Sequence, residues 1–248
     1  MAIAKDSFKL QKMRAAGKLT AQICEQIAAY ICPGMTTAEI DRFAAGLIKK
    51  HGVKSAFLGY RGYPGNICVS INEEVVHGIP GPRRVRIGDI VSLDVGVVAD
   101  SFYGDMARTV MIGVTDPAVI GLVEAAEKAL YAGIAKAAAD NRLSDISHAI
   151  ENCAGAAGFS VVRQFVGHGI GQSMHEEPQI PNFGRPGKGM VLKEGMTLAI
   201  EPMLNMGRPE VDILGDGWTA VTRDRKPSAH FEHTVAVGRE KAEILTSL

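Results

Sequence analysis

VSLDVGVVADSFYGDMAR, running from Val91 to Arg108, places two aspartates where a strand pair brings them together. The apolar and β-branched run Ile90 to Val98 stops at Ala99-Asp100-Ser101 and resumes at Phe102-Tyr103, which predicts two strands joined by a tight turn. With Ala99-Asp100 as a two-residue loop, Val98 faces Ser101 and Asp94 is expected directly opposite Asp105. Paired residues of this kind have β-carbons roughly 4.5–5.5 Å apart. Two ionised carboxylates at that distance repel, so a core hairpin that keeps both calls for a cation between them.

The rest of the chain is consistent with a globular protein. Its 248 residues are 46% hydrophobic, enough to bury a substantial core. Lys plus Arg (27) balances Asp plus Glu (27) with no run of like charge, which argues against nucleic acid or an anionic membrane as partner. The opening MAIAKDSFKLQKM has no apolar signal core, and nowhere do eighteen apolar residues follow one another, so a soluble, cytoplasmic protein is expected. Cys24, Cys32, Cys68 and Cys153 are scattered without a CxxC pair and read as reduced thiols.

Periodicity predicts helices over Ser7 to Ile31 and from a capping box at Thr36-Thr37-Ala38-Glu39 to Gly52. Short strands are expected at Ile67 to Ile71 and Glu74 to His77, before the hairpin. The pattern then recurs, with helices over Val119 to Ala138 and Leu143 to Ala157 and a strand over Phe159 to Val166. A loop, GHGIGQSMHEEP, follows, and then strands over Met196 to Met203 and Phe231 to Val237. Gly88 stands six residues before Asp94, as Gly195 does before Glu201, and each section has a His-x-x-Pro, at His77 and His175. These coincidences predict one α/β domain, 1–248, made of two related sections of about 1–115 and 116–248 that meet at the site.

The ionisable residues with strand or turn addresses are Asp94, Asp105, His168, Glu201 and Glu232, with His77 and His175 as further imidazoles. Four carboxylates and one imidazole suit two hard-to-borderline divalent ions, manganese, iron, cobalt or zinc. Singly, each has a duller account: Asp94 as a turn cap, Glu201 as a solvated strand end. Charge in an apolar strand must nevertheless be paired or metal-bound. Gly167-His168-Gly169-Ile170-Gly171 lacks the spacing of a dinucleotide fingerprint and the helix that should follow one. Its glycines instead let the backbone crowd a site into which His168 reaches. His51 and His148 receive no role. His230 shares strand parity with Glu232 and is equally open to a supporting role or none, while Cys68 reads as a small pocket-wall residue.

Together the segments LGYRGYPGNICVSINEEVVHGIP, DIVSLDVGVVADSFYGD, FVGHGIGQSMHEEPQIP, EGMTLAIEPM and DGWTAVTRDRKPSAHFEHT resemble the type I methionine aminopeptidases over nearly the whole chain. The resemblance implies the pita-bread fold, two pseudo-twofold-related α/β halves around a dinuclear metal site. It also implies hydrolytic removal of the initiator methionine from nascent proteins and peptides whose second residue is small, by a monomer. By the same resemblance the two metals are held by Asp94, Asp105, His168, Glu201 and Glu232. His77, His175 and Glu201 carry the chemistry, and Phe57, Tyr60, Tyr63, Cys68, Met174 and Trp218 join the two histidines in contacting substrate. Phe57 and Met174 stand where many relatives have other residue types. The alternatives are a proline-specific aminopeptidase or dipeptidase of the same fold, and a non-catalytic pita-bread binding protein.

Overall fold

A computed structural model describes residues 4–248; Met1–Ile3, the head of the segment read as lacking a leader, lie outside it. Helix α1 spans Ser7–Tyr30, capped by the Asp6 carboxylate, which accepts from Lys9 N at 2.9 Å. It buries Met13, Ala16, Thr20, Ile23 and Ile27 along one stripe. Helix α2, Thr37–Lys50, opens with the expected capping box of Thr36 and Glu39. Beyond β1 (Lys54–Ser55), β2 (Cys68–Ile71) and β3 (Glu74–Val76) come the two ten-residue strands β4, Ile90–Ala99, and β5, Phe102–Met111.

The hairpin forms, but its register corrects the expectation. The loop is Asp100-Ser101, with φ of 48° and 66°, and Ala99 stays in the ladder opposite Phe102. Two left-handed residues make the turn whose twist matches the strands it joins. Asp94 therefore faces Ala107, and Asp105 faces Gly96. Because the slip is two residues rather than one, both aspartates keep the same face. They are diagonal neighbours, a relation that puts the residues roughly 7–8 Å apart and their Cβ atoms somewhat closer.

Helices α3, Pro117–Ile134, and α4, Leu143–Ala156, follow, α3 ending short of the predicted Ala138. The remaining strands are β6 (Ser160–Val161), β7 (Gly167–Gly169), β8 (Glu176–Ile180), β9 (Thr197–Ile200), β10 (Met203–Asn205), β11 (Val211–Ile213), β12 (Ala220–Thr222), β13 (Ser228–His230), β14 (Glu232–Ala236) and β15 (Glu243–Ile244). The segment expected as a loop thus supplies β7 and β8, while the strand predicted for Phe159 to Val166 shrinks to two residues. Glycine explains the first difference: a β-carbon on Gly167 would lie 2.4 Å from Ala199 O, and one on Gly169 2.4 Å from Glu177 O. Only bare backbone fits between β8 and β9. The strand predicted from Met196 to Met203 splits at Glu201-Pro202, since proline has no N–H to extend a ladder.

The main sheet runs β1-β4-β5-β14-β9-β7-β8, with β2 added on β4 and β15 on β14. Val91, Leu93, Val95 and Val97 of β4 and Met106 of β5 face one apolar cluster with α1 and α2. Val235 of β14 and Leu198 and Ile200 of β9 face another with α3 and α4. The alternate residues of β4, β5 and β14, Asp94, Asp105 and Glu232 among them, point to the opposite face. Two three-stranded sheets, β13-β10-β6 and β11-β12-β3, complete the fold.

Candidate active site

Each acidic residue reaches the site from a different strand or, for Glu201, from a strand end. Asp94 lies opposite Cys68 on β2 and Ala107 on β5. Asp105 is held by Thr234 of β14, whose hydroxyl accepts from Asp105 N at 3.1 Å and donates to Asp105 O at 2.8 Å. Glu232 begins β14 opposite Ala107, so it and Asp94 bracket that alanine from two sides. His168, in the middle of β7, pairs with Ala199 of β9, and Glu201 follows β9 directly. The Asn182 side-chain amide donates to the Glu201 backbone carbonyl at 3.0 Å.

Nitrogen or oxygen atoms of Asp105, His168 and Glu232 lie within 4.8 Å of one another. His168 Nε2 is 3.5 Å from Glu201 Oε1 and 3.9 Å from Asp105 Oδ2. Its Nδ1 is 2.9 Å from Gly169 O, which places the ring proton on Nδ1 and leaves the Nε2 lone pair aimed at the carboxylates. Asp94 Oδ1, Asp105 Oδ1 and Glu232 Oε1 are buried without any hydrogen-bond partner. Unpaired buried carboxylate oxygens are costly unless a cation shares them, so the donor set fits divalent metal.

Electrostatics says the same. Burial pushes the Asp94 carboxyl up to about 7. Asp105 is raised well above the ordinary range by burial and then by Asp94 and Glu201; Glu232 is raised by burial and then by Asp105, Glu201 and Asp94. Glu201 is raised by burial and then by Asp94. Burial depresses His168 to about 3, His230 to about 3 and His77 to about 4, so these imidazoles are neutral. Neutral imidazole and ionised carboxylate are the forms that bind metal.

A cavity of about 160 Å³ opens onto these groups. Every residue expected at the site lines it: Phe57, Tyr60, Tyr63, Cys68, His77, Asp94, Asp105, His168, Met174, His175, Glu201, Trp218 and Glu232. One end is apolar, where Phe57, Tyr63, Cys68 and Met174 pack together, flanked by Tyr60 and Trp218. Phe57 can lie there because Gly96 has no side chain; a β-carbon on it would be 2.8 Å from the Phe57 ring. His175 Nδ1 and Tyr60 Oη are 2.8 Å apart, and the His175 ring centre is 4.3 Å from that of His168. His77, at φ 60°, stands edge-on to Phe165 and Trp218.

Two residues near the site were not assigned to it from sequence. Arg61 lines the cavity with its guanidinium 5.4 Å from the centre of the Tyr60 ring; at φ 49° in a surface turn, it left no signal in the sequence. His230, left open, is buried with Nε2 3.8 Å from Glu201 Oε2; its parity with Glu232 was the available clue.

Residues 11–239 match the model of metallopeptidase family M24. The chain is 48% identical over 246 residues to a methionine aminopeptidase of Clostridium perfringens, covering 99% of each. It is equally similar, 48% over 246 residues and 99% of each, to methionine aminopeptidase 1 of Bacillus subtilis. Among solved structures, the methionine aminopeptidase of Thermotoga maritima superposes with a TM-score of 0.98 at 45% identity, with both chains covered completely. A prolidase from Pyrococcus furiosus shares the pita-bread fold at a TM-score of 0.82 and 20% identity, with 66% of that longer chain covered.

Proposed function

The chain belongs to metallopeptidase family M24, and we propose that it is a methionine aminopeptidase, removing the initiator methionine from nascent proteins and peptides whose second residue is small. The observation that carries this reading is the juxtaposition of partnerless buried carboxylate oxygens with an apolar, aromatic pocket wall in one cavity. We assign Asp94, Asp105, His168, Glu201 and Glu232 to hold two divalent ions, of cobalt, manganese, iron or zinc. Such ions, when bound, lower the pKa of water toward neutrality and polarise the scissile carbonyl.

The remaining steps fall to the chain's own groups. Phe57, Tyr63, Cys68, Met174 and Trp218 receive an unbranched thioether side chain, sulfur against ring edges. The α-amine is received on the Asp94 side, which accounts for exopeptidase action. Glu201 takes a proton from the attacking water and returns it to the leaving amine. With Tyr60 O–H donating to His175 Nδ1, His175 carries its proton on Nε2 and donates it to the developing oxyanion. His77 donates to the amide beyond the cut. As supporting organisation, we propose that residues 1–115 and 116–248 are related sections of one catalytic domain, working as a cytoplasmic monomer on nascent chains. Among the described residues no helix is long and apolar enough to cross a membrane.

The test is methionine release from Met-Ala-Ser and Met-Phe-Ser, beside cleavage of a Gly-Pro dipeptide, with and without added metal. Metal-dependent release from Met-Ala-Ser alone supports the proposal. Comparable turnover of Met-Phe-Ser removes the restriction to small second residues, and preferred cleavage before proline overturns the assignment.

A further inference from the structure

His230 closes β13, two residues before Glu232, and its side chain does not line the cavity. The ring is only 2% exposed and its Nε2 has no hydrogen-bond partner. A buried imidazole nitrogen without a partner is costly, and its persistence needs a reason. The reason lies in front of it, where Glu201 Oε2 is 3.8 Å away while the other oxygen, Oε1, is 3.5 Å from His168 Nε2. The Glu201 carboxylate thus sits between two imidazole nitrogens, one of which, on His168, is a lone pair.

The backbone beneath His230 is fixed. His230 N donates to Thr109 Oγ1 at 3.0 Å, and that hydroxyl donates to His230 O at 2.9 Å. Ser92 Oγ is 2.8 Å from Thr109 Oγ1, and His230 pairs with Met203 across β10. With its backbone held and its ring buried, the imidazole is kept in front of Glu201. A separation of 3.8 Å exceeds a hydrogen bond, but bonds of this kind in unliganded sites are often long and tighten when the site is filled.

We propose that His230 is a positioning residue for Glu201: its Nε2–H donates to Oε2 in the metal-loaded protein and so turns Oε1 toward the His168 side. The proposal rests on the role given to Glu201 above and adds the group that aims it. It assigns His230 no contact with substrate.

The experiment compares His230→Leu, which removes the donor, with His230→Gln, which restores an N–H of similar reach. For each, kcat and KM on Met-Ala-Ser, manganese affinity by chelator competition and melting of the stripped protein are measured. His230→Leu should lose about 10–100-fold in kcat and in metal affinity, the range for partners that orient ligands, with KM within about threefold of wild type. His230→Gln should recover most of both. In a Glu201→Gln background, His230→Leu should add less than about twofold to the loss of kcat, because the two residues act as one unit. Wild-type kcat and metal affinity in His230→Leu, failure of His230→Gln to rescue, or full additivity would each overturn the proposal. A purely structural histidine would lower the melting temperature alone. If His230→Leu does not fold, His230→Asn, whose amide is too short to reach, replaces it with the same expectations. A slow Glu201→Gln beside a normal His230→Leu refutes the positioning role only; a Glu201→Gln as fast as wild type removes both.

Discussion

Stripped of its metals, the protein should become less stable as pH rises from 7.5 to 8.5. In the folded state Asp94 titrates at about 7, and Asp105, Glu201 and Glu232 are held well above their ordinary values by burial and by one another. For such groups the folded chain holds protons that the unfolded chain has released. Their contribution to stability is complete below the unfolded carboxyl values, about 4, and is lost as pH rises through the folded ones. The histidines His77, His168, His175, His230 and His233 act in the opposite sense, since burial depresses all five. Their contribution is complete only about one pH unit above 6.5 and is lost as pH falls below that. The buried thiols Cys24 and Cys68, both raised, begin to matter only near their unfolded value of about 8.5. Above about 7.5, where the unfolded histidines have released nearly all their protons, the carboxylates set the slope, and the thiols add to it in the same sense. Each proton retained by the folded state tilts stability by about 1.4 kcal/mol per pH unit. At about 2–4 °C per kcal/mol for a chain of this size, that is a fall of roughly 3–6 °C per pH unit per proton. Bound dications displace those protons, so the metal-loaded protein should hold or gain stability over the same window. Free metal at about 100 times Kd should raise its melting temperature by about 5–10 °C. Paired thermal melts of stripped and loaded protein measure both. Stripped Asp105→Asn should show a shallower slope, by up to about 1.4 kcal/mol per pH unit for the one proton removed, and should gain far less from metal. A stripped wild type whose stability is flat or rising across the window, or an Asp105→Asn slope equal to wild type, would refute the reasoning.

Glu201→Gln should lower kcat by about 10²–10⁴-fold, the loss of a general base, and weaken one metal, whereas His77→Ala should lower kcat/KM at full metal stoichiometry; equal metal loss in both variants contradicts the division of roles. Gly167→Ala forces a methyl group to within 2.4 Å of Ala199 O, beside His168. It should cost about 1–3 kcal/mol and reduce metal loading, and a normal melt with normal loading would show that β7 can shift. Phe57→Cys opens the pocket wall over Gly96, and turnover of peptides with a bulkier first residue should rise relative to Met-Ala-Ser; unchanged selectivity would show that Phe57 does not set the pocket's width.

The hairpin shows what sequence can and cannot convey. Alternation along β4 and β5 fixes which residues share a face, so Asp94 and Asp105 could be assigned to one site even though the turn was placed one residue early. The turn itself is set by the left-handed backbone at Asp100 and Ser101, neither of them the glycine that usually advertises such a geometry. The capping box of α2 was legible because its two residues are three apart in sequence. By contrast β7 exists because Gly167 and Gly169 lie against backbone from β9 and from the Glu177 segment, contacts between parts of the chain that no local pattern links. Arg61 falls in the same class: its place at the cavity follows from how a surface turn folds over Tyr60.

The Thr234 hydroxyl that grips both backbone atoms of Asp105 joins positions 129 residues apart in the chain. Contacts of that span are late to form, because the loop they close must first be gathered in. Asp94 and Asp105 come from the first 111 residues and His168, Glu201 and Glu232 from beyond residue 166, so the metal set proposed above cannot be complete until that closure is made. Metal uptake during refolding is accordingly a clock for the final long-range step: it should lag the appearance of helix, and its rate should fall when Thr234 is replaced by valine while helix formation keeps its pace.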